Sequence, residues 1–347
     1  MSPRRRRILP ALMALVAAWL PGAQARARSE APLTAQAILE RVAAAYPGGA
    51  WMRIDQDGAV RSGAWGYGFG DLPFTPETPI ALYSTTKPVT GILAARLALQ
   101  GRVDLDRPVG DYVQIGGELA RRPLRRLLTN SAGVRHYRPD EWLAVSTRRC
   151  AAPSEALDLF VNDPPGPEGA FVYSSYSYVL ASQALSQATG TPFADLLAEE
   201  VLRPAGMIAR LWEPGLRRPP NGFEMSAHGP VPARAIDNSC KSGAGALVGS
   251  AGDLARFGHA ALDGMLLPRE QLHKALELDP ASGGAYAMGW TVLKDGEGRT
   301  IALHSGNGLG GTAVVAIDLD RGRSIGLVGN LQGPDLVETA LALLGVE

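Results

Sequence analysis

Cysteine, lysine and histidine are all scarce in this 347-residue chain, at two, four and five copies, and each shortage removes a class of chemistry. The histidines and cysteines never stand in Cys-x-x-Cys, His-x-His or His-Glu-x-x-His spacing, so no metal is expected, and no cofactor of another kind has a motif. Cys150 and Cys240 are 90 residues apart. An oxidising compartment would permit them to pair, but two thiols in a chain of this size are not a disulfide framework, and the reading leans towards free thiols. Long apolar runs are missing too. The longest, Ile8 to Leu20, has 13 residues and contains Pro10, whereas a bilayer-spanning helix needs about 20. There is no basic surplus: 34 Lys and Arg face 34 Asp and Glu, and residues 1–27 hold five of the arginines and no acid. The remaining chain carries 29 basic against 34 acidic residues, which excludes an electrostatic nucleic-acid binder. A Walker loop and internal repeats are absent.

What is present describes an ordinary globular protein, 46% hydrophobic and 20% charged. The length is roughly two to three times that of a usual single domain, so two lobes are expected. The start reads as an export signal. Arg4 to Arg7 form a positive region, Ile8 to Leu20 an apolar one, and Ala25-Arg26-Ala27 a cleavage site, with a loose twin-arginine pattern at Arg5-Arg6-Arg7. Cleavage after Ala27 predicts a periplasmic or secreted protein with no stable membrane insertion.

Beyond the signal, Leu33 to Tyr46 has a helical apolar stripe stopped by Pro47-Gly48-Gly49. Trp51 to Ile54 and Val60 to Gly66 flank the turn dipeptide Asp57-Gly58 as two strands of a hairpin. A helix follows from Thr85 to Gln100. Helical stretches then dominate residues 105–235, at Leu119 to Thr129, Ser154 to Val161, Tyr178 to Ala188 and Pro192 to Leu202, before a Pro-, Gly- and Arg-rich surface passage from Arg203 to Ala235. Ser250 and Asp253 have capping-box spacing ahead of a helix from Leu254 to Leu262. Strand-like runs at Tyr286 to Leu293, Thr300 to His304, Thr312 to Asp318 and Ser324 to Gly329 precede a helix from Pro334 to Leu344. The expected fold class is α+β: one antiparallel sheet flanked by terminal helices, from residues 28–104 and 236–347, with a mainly helical lobe, 105–235, inserted between its halves.

Candidate chemistry begins at Ser84-Thr85-Thr86-Lys87. A serine hydroxyl becomes a nucleophile when a base removes its proton, and a lysine is such a base only where its ammonium is destabilised. Three residues apart on the first turn of a helix, the two side chains share a face. With 19 serines and four lysines, chance supplies roughly 0.2 such pairs, so the motif alone is weak. Among 30 arginines, however, a lysine stands out as the cation that can lose its proton. Tyr173-Ser174-Ser175 lies on a turn where a phenol could reach the site, although Tyr173, Tyr176 and Tyr178 taken alone read as packing aromatics. His304-Ser305-Gly306 ends a strand at a Gly-rich turn, where backbone N–H groups can line a cleft; His304 alone reads as a hydrogen-bonded strand-end residue. Gly306-x-Gly308-x-x-Gly311 spells a dinucleotide fingerprint but leads into a strand instead of a helix, and is rejected on that ground.

Taken together and in this order, Ser84-Thr-Thr-Lys87, Tyr173-Ser-Ser175 and His304-Ser-Gly306 resemble the penicillin-binding and class C β-lactamase family of serine hydrolases. The resemblance extends through Leu127-Leu-Thr-Asn-Ser-Ala-Gly133, Gly206-Met207, Gly243-Ala-Gly245 and Ser250-Ala-Gly-Asp253. Asp71-Leu-Pro-Phe-Thr-Pro-Glu77, Val134-Arg-His-Tyr137 and Asp237-Asn-Ser239 look like the branch that contains the mitochondrial lactamase-like serine protease. The resemblance implies a β-lactamase/transpeptidase-like fold and acyl-enzyme hydrolysis. Ser84 would be acylated, Lys87 and Tyr173 would exchange protons with it, and the N–H groups of Ser84 and Asn307 would hold the oxyanion. Ser175, His304, Ser305 and Gly306 would line the substrate site.

Two departures from the family pattern shape the expected substrate, a small molecule or peptide. Ser175 replaces an asparagine amide, and His304 replaces a lysine whose permanent charge would face a β-lactam carboxylate. Both favour a peptidase, a D,D-carboxypeptidase-like enzyme, an amidase or an esterase over a dedicated β-lactamase. The alternative is a catalytically idle protein that binds cell-wall peptides or serves in assembly. Oligomeric state has no signature in the sequence.

Overall fold

Strands from the two ends of the chain form one sheet. The computed structural model describes residues 34–346 except 214, 215, 217, 218, 281–283, 285 and 334; the export signal read at residues 1–27 lies outside the described residues. Thr34 caps helix α1 (Ala35–Ala45) by accepting a hydrogen bond from the Ala37 N–H at 3.2 Å. Strands β1 (Gly48–Ile54) and β2 (Val60–Gly66) then pair as the expected hairpin, with Gly58 of the turn at φ 80°. The C-terminal strands are β8 (Thr291–Lys294), β9 (Thr300–Gly308), β10 (Gly311–Asp318) and β11 (Arg323–Gly329). The order is β2-β1-β11-β10-β9-β8, and each adjacent pair is antiparallel.

β10 is buried along its whole length, which is why its sequence is a continuous apolar run without polar alternation. Val314 and Ala316 join α1 and the closing helix α10 (Val337–Leu344) in one apolar cluster. Ala313, Val315 and Ile317 face the opposite way, into the main core with Leu254 and Phe257 of α8 (Ala251–Leu262). The capping box of α8 forms as its spacing predicts: Ser250 Oγ accepts from the Asp253 N–H, and the Asp253 carboxylate accepts from the Ser250 N–H.

The main core also contains α2 (Thr86–Leu99), whose first nine residues are all buried. A helix enclosed on every side needs no polar face, and α2 has almost none. Around it lie α3 (Leu124–Leu128), α4 (Trp142–Val145), α5 (Ser175–Thr189), α6 (Phe193–Leu197), the single turn α7 (Ser242–Gly245) and α9 (Arg269–Ala275). The long helix expected at Leu119 to Thr129 is split at Pro123 into a 3₁₀ turn and α3, because proline carries no N–H for a continuing helix. α5 begins at Ser175, three residues before the expected start, because Ser174 caps it with a side chain that accepts from the Ser177 N–H.

Two expectations are corrected. The passage from Arg203 to Ala235 is not purely a surface connector. Its β4 (Arg210–Leu211) joins β3 (Ile80–Ala81) and β7 (Leu247–Gly249) in a second sheet, and β5 (Phe223–Ser226) and β6 (Gly229–Pro232) form a hairpin. Trp212, Phe223 and Ala233 are buried there. These strands are two to four residues long and interrupted by proline, so period-2 alternation never develops; packing defines them. The second correction is Cys150–Cys240, which is a disulfide bond. The fold brings the two segments together, a fact that spacing along the chain does not encode.

Replacing either cysteine by serine is expected to lower stability by about 3–5 kcal/mol, the cost of releasing a loop of this size. The check is a denaturant titration of Cys150→Ser and of the wild type with and without reductant.

Candidate active site

Ser84 sits in a 3₁₀ turn, Tyr83–Thr85, directly before α2. The residue ahead of it, Tyr83, holds φ 49°, a left-handed conformation uncommon for a residue with a side chain. Its hydroxyl donates to the Leu309 carbonyl, which anchors the strained turn. Helical geometry then carries Lys87 back over Ser84.

Lys87 has no solvent exposure. Its Nζ lies 2.9 Å from Ser84 Oγ, 3.2 Å from Ser175 Oγ and 2.8 Å from the Ala244 carbonyl oxygen. Burial, reinforced by the nearby Lys241 amine, holds its pKa well below that of an ordinary lysine. The neutral amine suits these partners: two N–H bonds serve Ala244 O and Ser175 Oγ, and the lone pair is left for the Ser84 proton.

Tyr173 completes the centre, its hydroxyl donating to Ser84 Oγ at 2.8 Å while its ring lies 4.9 Å from Lys87 Nζ. Burial raises the phenol pKa, opposed by the bond to Ser84, so Tyr173 remains protonated at neutral pH. Of the two groups beside Ser84, burial therefore favours the amine as proton acceptor and the phenol as proton donor.

Ser175 is 6% exposed, with its hydroxyl turned to Lys87 and its N–H donating to His136 Nδ1 at 3.0 Å. His304 is buried as well. Its Nδ1 lies 2.6 Å from the Ser305 carbonyl and its Nε2 3.2 Å from the Tyr286 hydroxyl. The first contact requires Nδ1–H, so Nε2 accepts from the phenol and the ring is neutral. Burial, with the nearby Lys87 amine, takes its pKa down to about 3. Asn307 is exposed, and its side-chain amide donates to the Gly333 carbonyl at 2.9 Å. Ser305, Gly306 and Asn307 lie on β9, paired with Val314, Ala313 and Thr312 of β10, so the literal dinucleotide fingerprint is a β-hairpin.

Gly306 has a structural use that its motif alone did not disclose. A Cβ there would lie 2.2 Å from the Leu82 carbonyl oxygen and 2.8 Å from the Ser84 nitrogen. Only a residue without a side chain lets β9 press against the Ser84 turn.

Several residues to which the sequence reading gave no role in the site meet here. His136 and Tyr137 stack beside Tyr173 and Ser175, with the His136 pKa lowered to about 3 by burial and by Lys87, Lys241 and Arg135. Tyr286 braces His304, and the Ala244 carbonyl accepts from Lys87. The signal that could have found Lys241 is the scarcity that drew attention to Lys87: it is one of four lysines. Among the described residues no group of acidic, histidine and cysteine side chains has the arrangement of a metal site.

Gly306→Ala is expected to slow acylation of Ser84 by a p-nitrophenyl ester about 10²-fold, since an ångström-scale displacement of a reacting group costs that much. Stopped-flow burst rates, alongside melting curves that show a folded variant, check this.

Comparison with known proteins agrees with the geometry. The chain is 23% identical to the mitochondrial serine beta-lactamase-like protein LACTB of Mus musculus, over 80% of this chain and 73% of that protein. It is 24% identical to the D-alanyl-D-alanine-carboxypeptidase/endopeptidase AmpH of Escherichia coli K12, over 68% and 66%. The crystal structure of a D-stereospecific amidohydrolase from Streptomyces superposes with a TM-score of 0.73 at 22% identity, covering 89% of this chain and 97% of that one. The Beta-lactamase family model matches residues 34–346, every described residue of this structure, and the chain belongs to that family of serine hydrolases.

Proposed function

We propose that this protein is an exported hydrolase that cleaves an amide, peptide or ester bond through an acyl-enzyme on Ser84. The observation that carries this reading is the fully buried Lys87 amine 2.9 Å from Ser84 Oγ, with the Tyr173 hydroxyl 2.8 Å from the same oxygen. In the proposed sequence Lys87 removes the Ser84 proton as Oγ adds to the substrate carbonyl. The N–H groups of Ser84 and Asn307 receive the oxyanion. Collapse breaks the bond to the leaving group, which takes a proton from Tyr173, and the Lys87 ammonium, beside the Tyr173 ring, returns its proton to the phenolate. Water then adds to the ester under the same base, releasing the acid and the free serine.

The walls favour an uncharged leaving side. His304, at the position where the family pattern has a permanent cation, is neutral and uses both ring nitrogens internally. A terminal carboxylate has no charge partner there, which supports an amidase, aminopeptidase or esterase over a β-lactamase or a strict D,D-carboxypeptidase. AmpH and the Streptomyces amidohydrolase, named for D-alanyl peptides and for D-stereospecific amides, support a D-configured substrate. Export is supported by the sequence of residues 1–27 and by the disulfide, a bond typical of oxidising compartments.

Ser84→Ala and Lys87→Ala are each expected to remove the acyl burst with a p-nitrophenyl ester, lowering acylation at least 10³-fold. A burst surviving in Ser84→Ala, followed by intact-mass measurement, overturns the assignment. D-Amino acid amides are expected to exceed the matching carboxylate-terminated dipeptides at least tenfold in kcat/KM; the reverse preference removes the argument from His304.

A further inference from the structure

A second buried lysine lies beside the site. Lys241 is 5% exposed, and its Nζ donates to Ser146 Oγ at 3.1 Å. Three aromatic rings surround it: Tyr83 at 5.9 Å, Tyr137 at 5.7 Å and Trp142 at 5.7 Å from Nζ to centroid. Such rings turn negative faces towards a cation and favour the ammonium over the amine. Burial works against them and lowers the pKa to about 7.

Three of the segments touching this cage also deliver a group to the catalytic centre. Tyr83 immediately precedes Ser84, and Tyr137 follows His136, which accepts from the Ser175 N–H. The segment carrying Lys241 continues through Ser242, held at φ 33°, to Ala244, whose carbonyl accepts from Lys87. The Cys150–Cys240 bond fixes this segment to the one bearing Ser146 and Trp142. A strained backbone, a disulfide and an aromatic cage thus hold one amine at a set place behind another.

We propose that Lys241 is a positioning residue for the reaction, its positive charge acting through Lys87 to keep that amine unprotonated as the acidity rises. This rests on the reading of Lys87 as the base. Two like charges in a common low-dielectric region disfavour each other, so a charged Lys241 opposes proton uptake by Lys87. The other charged neighbours leave this coupling in place. Arg135 is paired with Glu141 and Asp163, and the Arg149 guanidinium lies 4.0 Å from the Asp237 carboxylate. His136 is neutral above a pH of about 3, and Tyr137 and Tyr173 remain protonated at neutral pH, the Tyr137 pKa being pushed up to about 12 by burial. Tyr83 is likewise a protonated phenol, raised by burial.

The sign follows directly. Activity needs the free Lys87 amine, so the acid limb of the rate profile marks its protonation. Removing the neighbouring charge lets Lys87 hold its proton to higher pH, and the limb moves up. In Lys241→Met the acid limb of the acylation rate with a p-nitrophenyl ester is expected to rise by about one pH unit. At alkaline pH the rates of variant and wild type converge, because Lys87 is unprotonated in both. Lys241→Arg, which retains a charge, keeps the limb at or below its wild-type position. Trp142→Leu removes one ring, leaves the lysine, and raises the limb by less, which provides a reading should Lys241→Met fail to fold. A folded Lys241→Met with an unmoved limb, or with a rate lowered by the same factor at every pH, overturns the proposal, the second result marking a structural part only. Lys87→Met separates the two levels: a burst that persists there overturns Lys87 as the base, whereas a lost burst together with an unmoved limb in Lys241→Met overturns the role of Lys241 alone.

Discussion

Everything at the centre of this protein depends on an amine with no solvent-exposed surface. Lys87 stands behind Ser84 with its remaining hydrogen-bonding capacity consumed by Ser175 and the Ala244 carbonyl. An exposed lysine carries a proton at neutral pH; burial moves the balance towards the free amine. The surroundings serve this end. α2 is enclosed along its first turns, which leaves the amine without exposed surface, and the Tyr173 hydroxyl, which stays protonated, lies beside Ser84.

Holding the amine there requires the fold to bring together distant segments with little tolerance. The Ser84 turn is strained at Tyr83 and pressed by β9 at Gly306. The Ala244 carbonyl arrives on a segment tied by disulfide to residue 150. These features share one logic: positions that cost stability locally are held by a well-packed sheet, β9 to β11, and by a helix buried on all sides.

Relatives with similar chains carry names as different as a mitochondrial beta-lactamase-like protein and a bacterial carboxypeptidase/endopeptidase. In this chain the wall is neutral at His304, where both ring nitrogens are satisfied by Tyr286 and by the Ser305 carbonyl. A second buried lysine, Lys241, lies nearby, enclosed by the rings of Tyr83, Tyr137 and Trp142.

Local pattern alone determined much of this. The Asp57-Gly58 hairpin, the Ser250 capping box and the apolar runs of β10 and β11 are written in neighbouring residues, because turn chemistry and side-chain period act over a few positions. Ser84 and Lys87 were legible for the same reason, since one helical turn joins them. Tertiary structure alone decided the rest: the pairing of Cys150 with Cys240, the short strands between residues 203 and 235, the neutral tautomer of His304, and the meeting of Tyr83, Tyr137, Trp142 and Lys241 around one ammonium. Most of these contacts join residues tens to hundreds of positions apart, and their energy comes from burial and excluded water, which no local stretch of sequence encodes.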